Sequence, residues 1–121
     1  MAMILSDTNI IIYLLEGDSA IAELFDQNSI FISFITELEL LSAKKYTKGQ
    51  EEKITDIIQE FTIYEYSPVI KSACINFRRK YNLKLPDAII AATAFAYKLP
   101  LLTADKKLSV ITEIKISLYT F

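Results

Sequence analysis

The sequence contains no histidine, a single cysteine and only two glycines. Without histidine it lacks both the commonest metal ligand and the commonest general base. The lone Cys74 excludes an intramolecular disulfide and a zinc site built from cysteines. Two glycines are too few for the glycine-rich loops that cradle phosphates, which argues against a nucleotide cofactor. Any catalysis must therefore rest on carboxylates, hydroxyls, amines or a bound ion.

Size and charge limit the class of protein further. The chain has 121 residues, of which 52% are hydrophobic, and we expect residues 1–121 to form a single domain with one core. Its 13 basic and 15 acidic residues give a net charge of −2, so it lacks the strongly basic surface of non-specific duplex binders. The longest uncharged stretch, residues 88–97, is too short to span a bilayer. Residues 1–6 have no basic segment typical of a signal peptide, so we expect a cytoplasmic protein.

Short apolar runs alternate with helical patterns along the chain. Strands are predicted near residues 3–6, 30–32, 62–66, 101–103 and 114–119. Helices are predicted near residues 18–26, 36–46, 50–61, 68–81 and from residue 86 onward. Residues 10–15 fit either a helix or a strand extension, which periodicity alone cannot separate. This alternation predicts an α/β fold, a three-layer α/β/α sandwich with a central parallel sheet.

Four carboxylates lie where strand-like runs give way to helical ones: Asp7, Glu39, Asp87 and Asp105. The carboxyl ends of parallel strands share one edge of a sheet, where ligands bind, so we expect these acids to gather there. Each acid alone has an ordinary explanation as a helix cap, a first-turn residue or a turn residue. Thr36 and Glu39, for example, have the form of a capping box with Thr36 as the N-cap. Together, four anions at one edge would repel one another unless a cation neutralised them, which predicts a metal site.

The segments around these acids resemble the motifs of a known nuclease family. Residues 5–9, 32–40, 85–92 and 102–105 resemble the four acidic motifs of PIN-domain ribonucleases. Length and motif spacing are most similar to the VapC toxins of bacterial and archaeal toxin-antitoxin pairs, over residues 3–108. The resemblance implies a PIN-like fold, a carboxylate site for Mg²⁺ or Mn²⁺ and endonucleolytic cleavage of RNA. It also implies a homodimer and inhibition by a cognate antitoxin.

The resemblance carries over residue by residue to the site. It places four carboxylates at the acidic positions of the family, Asp7, Glu39, Asp87 and Asp105. Thr103 takes the position of a supporting hydroxyl. Because Mg²⁺ is usually held by one or two carboxylates together with waters, we assign Asp7 and Asp87 as the principal metal holders. Asp105 is then a direct or water-mediated ligand, and Glu39 orients or deprotonates a water.

Two glutamates compete for one position in the second motif. Glu37 and Glu39 are two residues apart on the predicted helix, about 200° around its axis, so only one can face the site. The spacing from Ser33 in the family favours Glu39. Glu37 lies beside Leu40 and Leu41 at helical spacing and is expected to border a packing surface.

Two surface features are also predicted. Lys106 and Lys107 directly follow Asp105 and are the favoured candidates for contact with RNA, although basic runs are most often solvated faces. The predicted helices carry more apolar residues than a chain of this size readily buries, which favours a homodimer. The helices in question are those around Leu40, Leu41, Ile54 and Ile58.

Two alternatives remain at this point. A phosphoacceptor receiver domain agrees in size and in Thr103 and Lys106, but it needs paired acids after its first strand. This sequence has Ser6-Asp7-Thr8 there. A catalytically inactive PIN-like binding domain also fits the motifs, and it would leave the four acids without a role.

Overall fold

Strands and helices alternate along residues 1–120, the part of the chain that the computed structural model describes. The strands are β1 (Met3–Ser6), β2 (Ser29–Ser33), β3 (Thr62–Tyr64), β4 (Leu101–Thr103) and β5 (Ile116–Leu118). The helices are α1 (Thr8–Leu15), α2 (Ser19–Gln27), α3 (Phe34–Ser42), α4 (Lys48–Ile58), α5 (Pro68–Lys80) and α6 (Leu85–Tyr97). A short 3-10 helix, η1 (Lys106–Val110), follows β4. Within residues 1–120, no helix is long and apolar enough to cross a membrane.

One parallel sheet, in the order β3-β2-β1-β4-β5, separates two layers of helices. Successive side chains of a strand face opposite sides of the sheet, so each central strand contributes to two cores. Leu5, Phe31 and Leu101 pack against α5 and α6. Ile32 and Leu102 face the other way, toward the layer that contains α1, α2 and α4. The predicted three-layer α/β/α sandwich with a central parallel sheet is confirmed.

The helix that carries Glu39 begins earlier than predicted. Ser33, the last residue of β2, is the N-cap of α3, and its hydroxyl accepts a hydrogen bond from the backbone N–H of Ile35 at 3.2 Å. The prediction of Thr36 as the N-cap is therefore wrong, since Thr36 lies within the helix and is fully buried. The structure has a capping box at the start of α4 instead. The helix also ends sooner, at Ser42.

Most of the apolar surface predicted for a dimer belongs to the core of the chain itself. Leu40, Ile54 and Ile58 are buried together against α1 and β2, because α3 and α4 cover that face of the sheet. The expectation that the chain could not bury the apolar residues of these helices is therefore wrong for these three side chains. Leu41 is 53% exposed, and its neighbour Leu38 is 55% exposed.

The strand order excludes the receiver-domain alternative. Receiver domains have the order β2-β1-β3-β4-β5, in which the third strand lies next to the first. In this chain β3 pairs with β2 at the edge of the sheet, and β1 lies between β2 and β4. The two folds therefore differ in the connection that follows β2.

Candidate active site

The two central strands place Asp7 beside Thr103. Ser6 of β1 is the register partner of Leu102 of β4, and the backbone N–H of Asp7 donates to the Leu102 carbonyl at 2.9 Å. The next side chains along both strands therefore lie together at the carboxyl end of the sheet. There the Thr103 hydroxyl donates a hydrogen bond of 2.6 Å to Oδ2 of Asp7.

Asp7 is a buried acid, with 5% of its surface exposed. It is the N-cap of α1, and its Oδ1 accepts a hydrogen bond from the backbone N–H of Thr8 at 2.8 Å. Burial is the largest cause that raises the pKa of Asp7 to about 6. The negative charges of Asp87 and Glu39 raise it further, whereas the hydrogen bonds from Thr103 and Thr8 lower it. A buried carboxylate beside other acids is an electrostatic setting that a bound cation relieves.

Thr103 connects Asp7 to a second acid. Its hydroxyl oxygen is fully buried and accepts a hydrogen bond from the backbone N–H of Asp105 at 3.0 Å. Asp105 is the N-cap of η1, and its Oδ1 accepts from the backbone N–H of Lys107 at 3.0 Å. One hydroxyl thus fixes the carboxylate of Asp7 and the backbone of Asp105.

Asp87 reaches the same carboxyl end of the sheet from the first turn of α6. Its pKa is raised, first by burial and then by the negative charges of Asp105 and Glu39. Lys84 and Lys107 act in the opposite direction. No hydrogen bond from residues 1–120 reaches the Asp87 carboxylate, so its oxygens are available to a ligand.

Glu39 hydrogen-bonds to the first motif, whereas Glu37 does not. The Thr8 hydroxyl lies 2.7 Å from Oε1 of Glu39 and 3.0 Å from the hydroxyl of Thr36. Glu37 is half-buried and makes no hydrogen bond within residues 1–120. The position of α3 therefore brings Glu39 into the group that contains Asp7.

The four acids approach one another without forming a closed cage. Within residues 1–120, no three carboxylates converge closely enough to hold a metal ion among themselves. Mg²⁺ does not need such a cage, because one or two carboxylates usually hold it with waters and phosphate oxygens. Asp7 is desolvated and repelled by its neighbours, and Asp87 has unbonded oxygens. This all-oxygen set fits a hard divalent cation such as Mg²⁺ or Mn²⁺.

The acids lie at an open edge. Glu39, Asp87 and Asp105 are each half-buried, so part of each side chain reaches solvent. A cavity of about 540 Å³ lies elsewhere, between α2, α4 and β2, and none of the four acids lines it. An exposed edge of this kind is accessible to a polymer that lies across the surface.

The roles of Thr8 and Thr36 were not predicted from the sequence. Thr8 directly follows Asp7. Thr36 is three residues before Glu39, so the side chains of Thr36 and Glu39 lie on one face of α3. This spacing was a signal in the sequence that Thr36 lies close to Glu39. The contact between Thr8 and Thr36 joins positions 28 residues apart, and only the docking of α1 against α3 reveals it.

Comparisons with known proteins agree with this geometry. The PIN domain family matches residues 4–114. The structure is similar to VapBC2 from Rickettsia felis bound to a promoter DNA fragment, with a TM-score of 0.84, 22% identity and coverage of 98% of this chain and 99% of that chain. It is also similar to a toxin-antitoxin complex from Klebsiella pneumoniae, with a TM-score of 0.77, 37% identity and coverage of 94% and 95%. DNA-bound VapBC from Salmonella typhimurium gives a TM-score of 0.82 at 21% identity, over 97% and 98%. No curated protein sequence matches significantly.

Proposed function

The chain belongs to the PIN domain family, and we propose that it is a metal-dependent endoribonuclease of the VapC type, the toxin of a toxin-antitoxin pair. The observation that carries the proposal is the buried carboxylate of Asp7, which Thr103 and Thr8 hold beside two acids from other segments, Glu39 and Asp87. We propose further that residues 1–121 form one PIN-like nuclease domain and that it acts in the cytoplasm.

In the proposed site, Asp7 and Asp87 would hold Mg²⁺ or Mn²⁺, and Asp105 would be a ligand directly or through a water. The ion would supply positive charge that offsets charge on the phosphate and makes a water more acidic. Glu39 has one oxygen bonded to Thr8, whereas its Oε2 accepts no hydrogen bond from residues 1–120. We assign to Oε2 the proton of the attacking water. As the new oxygen–phosphorus bond forms, the bond to the leaving sugar oxygen breaks, and that oxygen gains a proton from solvent.

The purified protein should cleave single-stranded RNA in the presence of Mg²⁺ or Mn²⁺, and EDTA should abolish the cleavage. The reason is that a chain without histidine has no strong metal-free base at this edge. The extent of cleavage is measured from the fragments of end-labelled RNA. Cleavage that persists undiminished in chelator would contradict the metal requirement. A folded protein that binds RNA but leaves it intact with both ions would favour the catalytically inactive alternative.

Two lysines lie near Asp87 in the proposed site. Lys84 and Lys107 both lower the pKa of Asp87, so both lie near this acid. We propose that they contact RNA phosphates. Replacing either by Ala should raise KM and reduce the salt dependence of RNA binding by about one phosphate contact. Lys106, the other lysine predicted from the sequence to contact RNA, is exposed and is not among the charges that act on Asp87, so we expect a smaller effect from Lys106→Ala, which is the matched comparison. An equal effect at all three positions would contradict this assignment.

We propose two protein partners, a cognate antitoxin and a second copy of the chain. Support for the antitoxin comes from the Klebsiella pneumoniae toxin-antitoxin complex, which contains a chain 37% identical to this one. Support for the homodimer comes from Leu38 and Leu41, which are exposed on α3. Light scattering measures the mass of the particle in solution. A monomer mass at micromolar concentration would exclude the dimer and leave the catalytic proposal untouched.

A further inference from the structure

Two threonine hydroxyls connect the first acidic motif to Glu39. Thr8 is the first residue of α1, directly after Asp7, and Thr36 lies one turn before Glu39 on α3. The Thr8 hydroxyl is 2.7 Å from Oε1 of Glu39 and 3.0 Å from the Thr36 hydroxyl. Thr36 is fully buried, and within residues 1–120 its hydroxyl has no other hydrogen-bond partner.

The chemistry of the three groups fixes the direction of these bonds. An ionised carboxylate has no proton and only accepts, so the Thr8 hydroxyl donates its single proton to Glu39. The oxygen of Thr8 keeps lone pairs that accept the proton of Thr36. The protons therefore point from Thr36 to Thr8 and from Thr8 to Glu39. A hydrogen bond to a charged acceptor is stronger than one between neutral groups, so the bond from Thr8 to Glu39 dominates.

Thr8 also holds a second acid, Asp7. Its backbone N–H donates to Oδ1 of Asp7 at 2.8 Å, while its side chain donates to Glu39. A single residue thus fixes two carboxylates that come from different elements. Oε1 of Glu39 is anchored, and Oε2 is left without a hydrogen bond from residues 1–120.

We propose that Thr8 is a positioning residue for Glu39 and that Thr36 orients the Thr8 hydroxyl. This inference rests on the proposed nuclease function, in which Oε2 of Glu39 receives the proton of water. Neither threonine touches the reacting atoms. Their effect on the reaction is exerted through the angle at which Glu39 is held.

Steady-state cleavage of RNA by Thr8→Val, Thr8→Ser and Thr36→Val variants tests this role. Thr8→Val should lower kcat by about 10-fold to 100-fold, the usual cost of losing a residue that orients a catalytic side chain, with KM unchanged. Thr8→Ser keeps the hydroxyl and should restore most of kcat. Thr36→Val should have a smaller effect, because Thr8 still donates to Glu39. In a Glu39→Gln background, Thr8→Val should cause little further loss, since the two residues act as a unit.

Thr93→Val is the control for losing a buried hydroxyl in general. Thr93 is fully buried on α6, and its hydroxyl donates to the Ile89 carbonyl of the same helix at 2.8 Å. This variant should keep the wild-type kcat. A folded Thr8→Val protein with wild-type kcat would overturn the proposal. So would a loss from Thr8→Val that is as large in the Glu39→Gln background as in the wild type.

Crystal structures of the wild type, Thr8→Val and Thr8→Ser give a readout that does not depend on activity. Oε1 of Glu39 should lie within hydrogen-bond distance of the side chain at position 8 in the wild type and in Thr8→Ser, and should leave this position in Thr8→Val. A Glu39 side chain that does not move in Thr8→Val would overturn the inference. If the wild type fails to cleave RNA, the proposed function fails, yet a displaced Glu39 in Thr8→Val would still support the positioning role.

Discussion

Replacing Asp87 by Asn should lower kcat for RNA cleavage by roughly 100-fold or more, because the ion that it helps to hold contributes several kcal/mol to transition-state stabilisation. The fold should survive. No hydrogen bond from residues 1–120 reaches the Asp87 carboxylate, so the amide removes a charge and disrupts no described partner. Cleavage rates measure the loss of activity, and circular dichroism checks that the fold is retained. Asp7→Asn, Glu39→Gln and Asp105→Asn should also abolish most of the activity.

Glu37→Gln is the matched control for these acid-to-amide changes. Glu37 is on the same helix as Glu39 and is half-buried, yet only Glu39 is bonded to Thr8. The variant should therefore keep most of its activity. Full activity in Asp87→Asn would refute the metal-holding role. A loss in Glu37→Gln as severe as that in Glu39→Gln would show that the wrong glutamate had been assigned.

Without metal, the free energy of unfolding should fall by about 2 kcal/mol between about pH 4.5 and about pH 7, as a result of the single buried carboxylate of Asp7. Its pKa is raised from 3.8 to about 6 in the folded chain. In this window the folded chain retains a proton that the unfolded chain has lost. Stability therefore decreases as pH rises through the folded pKa, and it stays low above it. Asp87, whose pKa is also raised, acts in the same direction.

The two acids whose pKa values are lowered, Asp18 and Glu113, do not cancel this trend. The pKa values of Asp18 and Glu113 are lowered by hydrogen bonds, from ordinary values of 3.8 and 4.5. Their contributions are therefore lost at or below the acid end of the window. Denaturant titrations in EDTA at several pH values measure the slope of the free energy of unfolding against pH. Asp7→Asn should flatten this slope, whereas Glu37→Gln should not. A wild-type slope that is flat or positive would contradict the assignment.

Divalent cations should reverse the loss at neutral pH. Ligand that binds only the folded chain stabilises it by about 2.7 kcal/mol at a hundredfold excess over its Kd. Asp87→Asn should stabilise the metal-free protein, because it removes one of the repelling charges, and it should also reduce the response to metal. Thermal melts with and without Mg²⁺ or Mn²⁺ test both effects. A wild-type Tm indifferent to both ions, with Asp87→Asn less stable than the wild type, would indicate that these acids are only helix caps.

The α/β fold could be predicted because the local signals are strong. Pro68 at the start of α5 and the apolar runs of β1 and β4 each mark one element clearly. The start of α3 could not be predicted, since Ser33 and Thr36 are both good N-caps and only the structure shows which hydroxyl receives the backbone N–H. The burial of Leu40 within the chain could not be predicted, because periodicity shows that a helix face is apolar without showing what covers it.

Three of the four acids, Asp7, Asp87 and Asp105, could be predicted from the sequence because they lie at the cap or in the first turn of a helix, whereas Glu39 lies in the second turn of α3 and was assigned from the family spacing. Of the supporting groups, only Thr103 could be named, and only through the family resemblance. The bonds from Thr8 to Glu39 and from Thr103 to Asp7 join positions 31 and 96 residues apart, and spacing along the chain contains no trace of them. The influence of Lys107 on Asp87 is similarly invisible until η1 and α6 are placed against the sheet.

The central position of β1 has a consequence for biosynthesis. Asp7 is translated before its partner Thr103 on β4, which follows 96 positions later. At a translation rate of roughly 5–20 residues per second, the two are separated by several seconds. During that time β1 has no β4 to pair with, and two of the four acids, Asp87 and Asp105, do not yet exist for most of it. The order of translation thus leaves the acid cluster incomplete until residue 105 has been added.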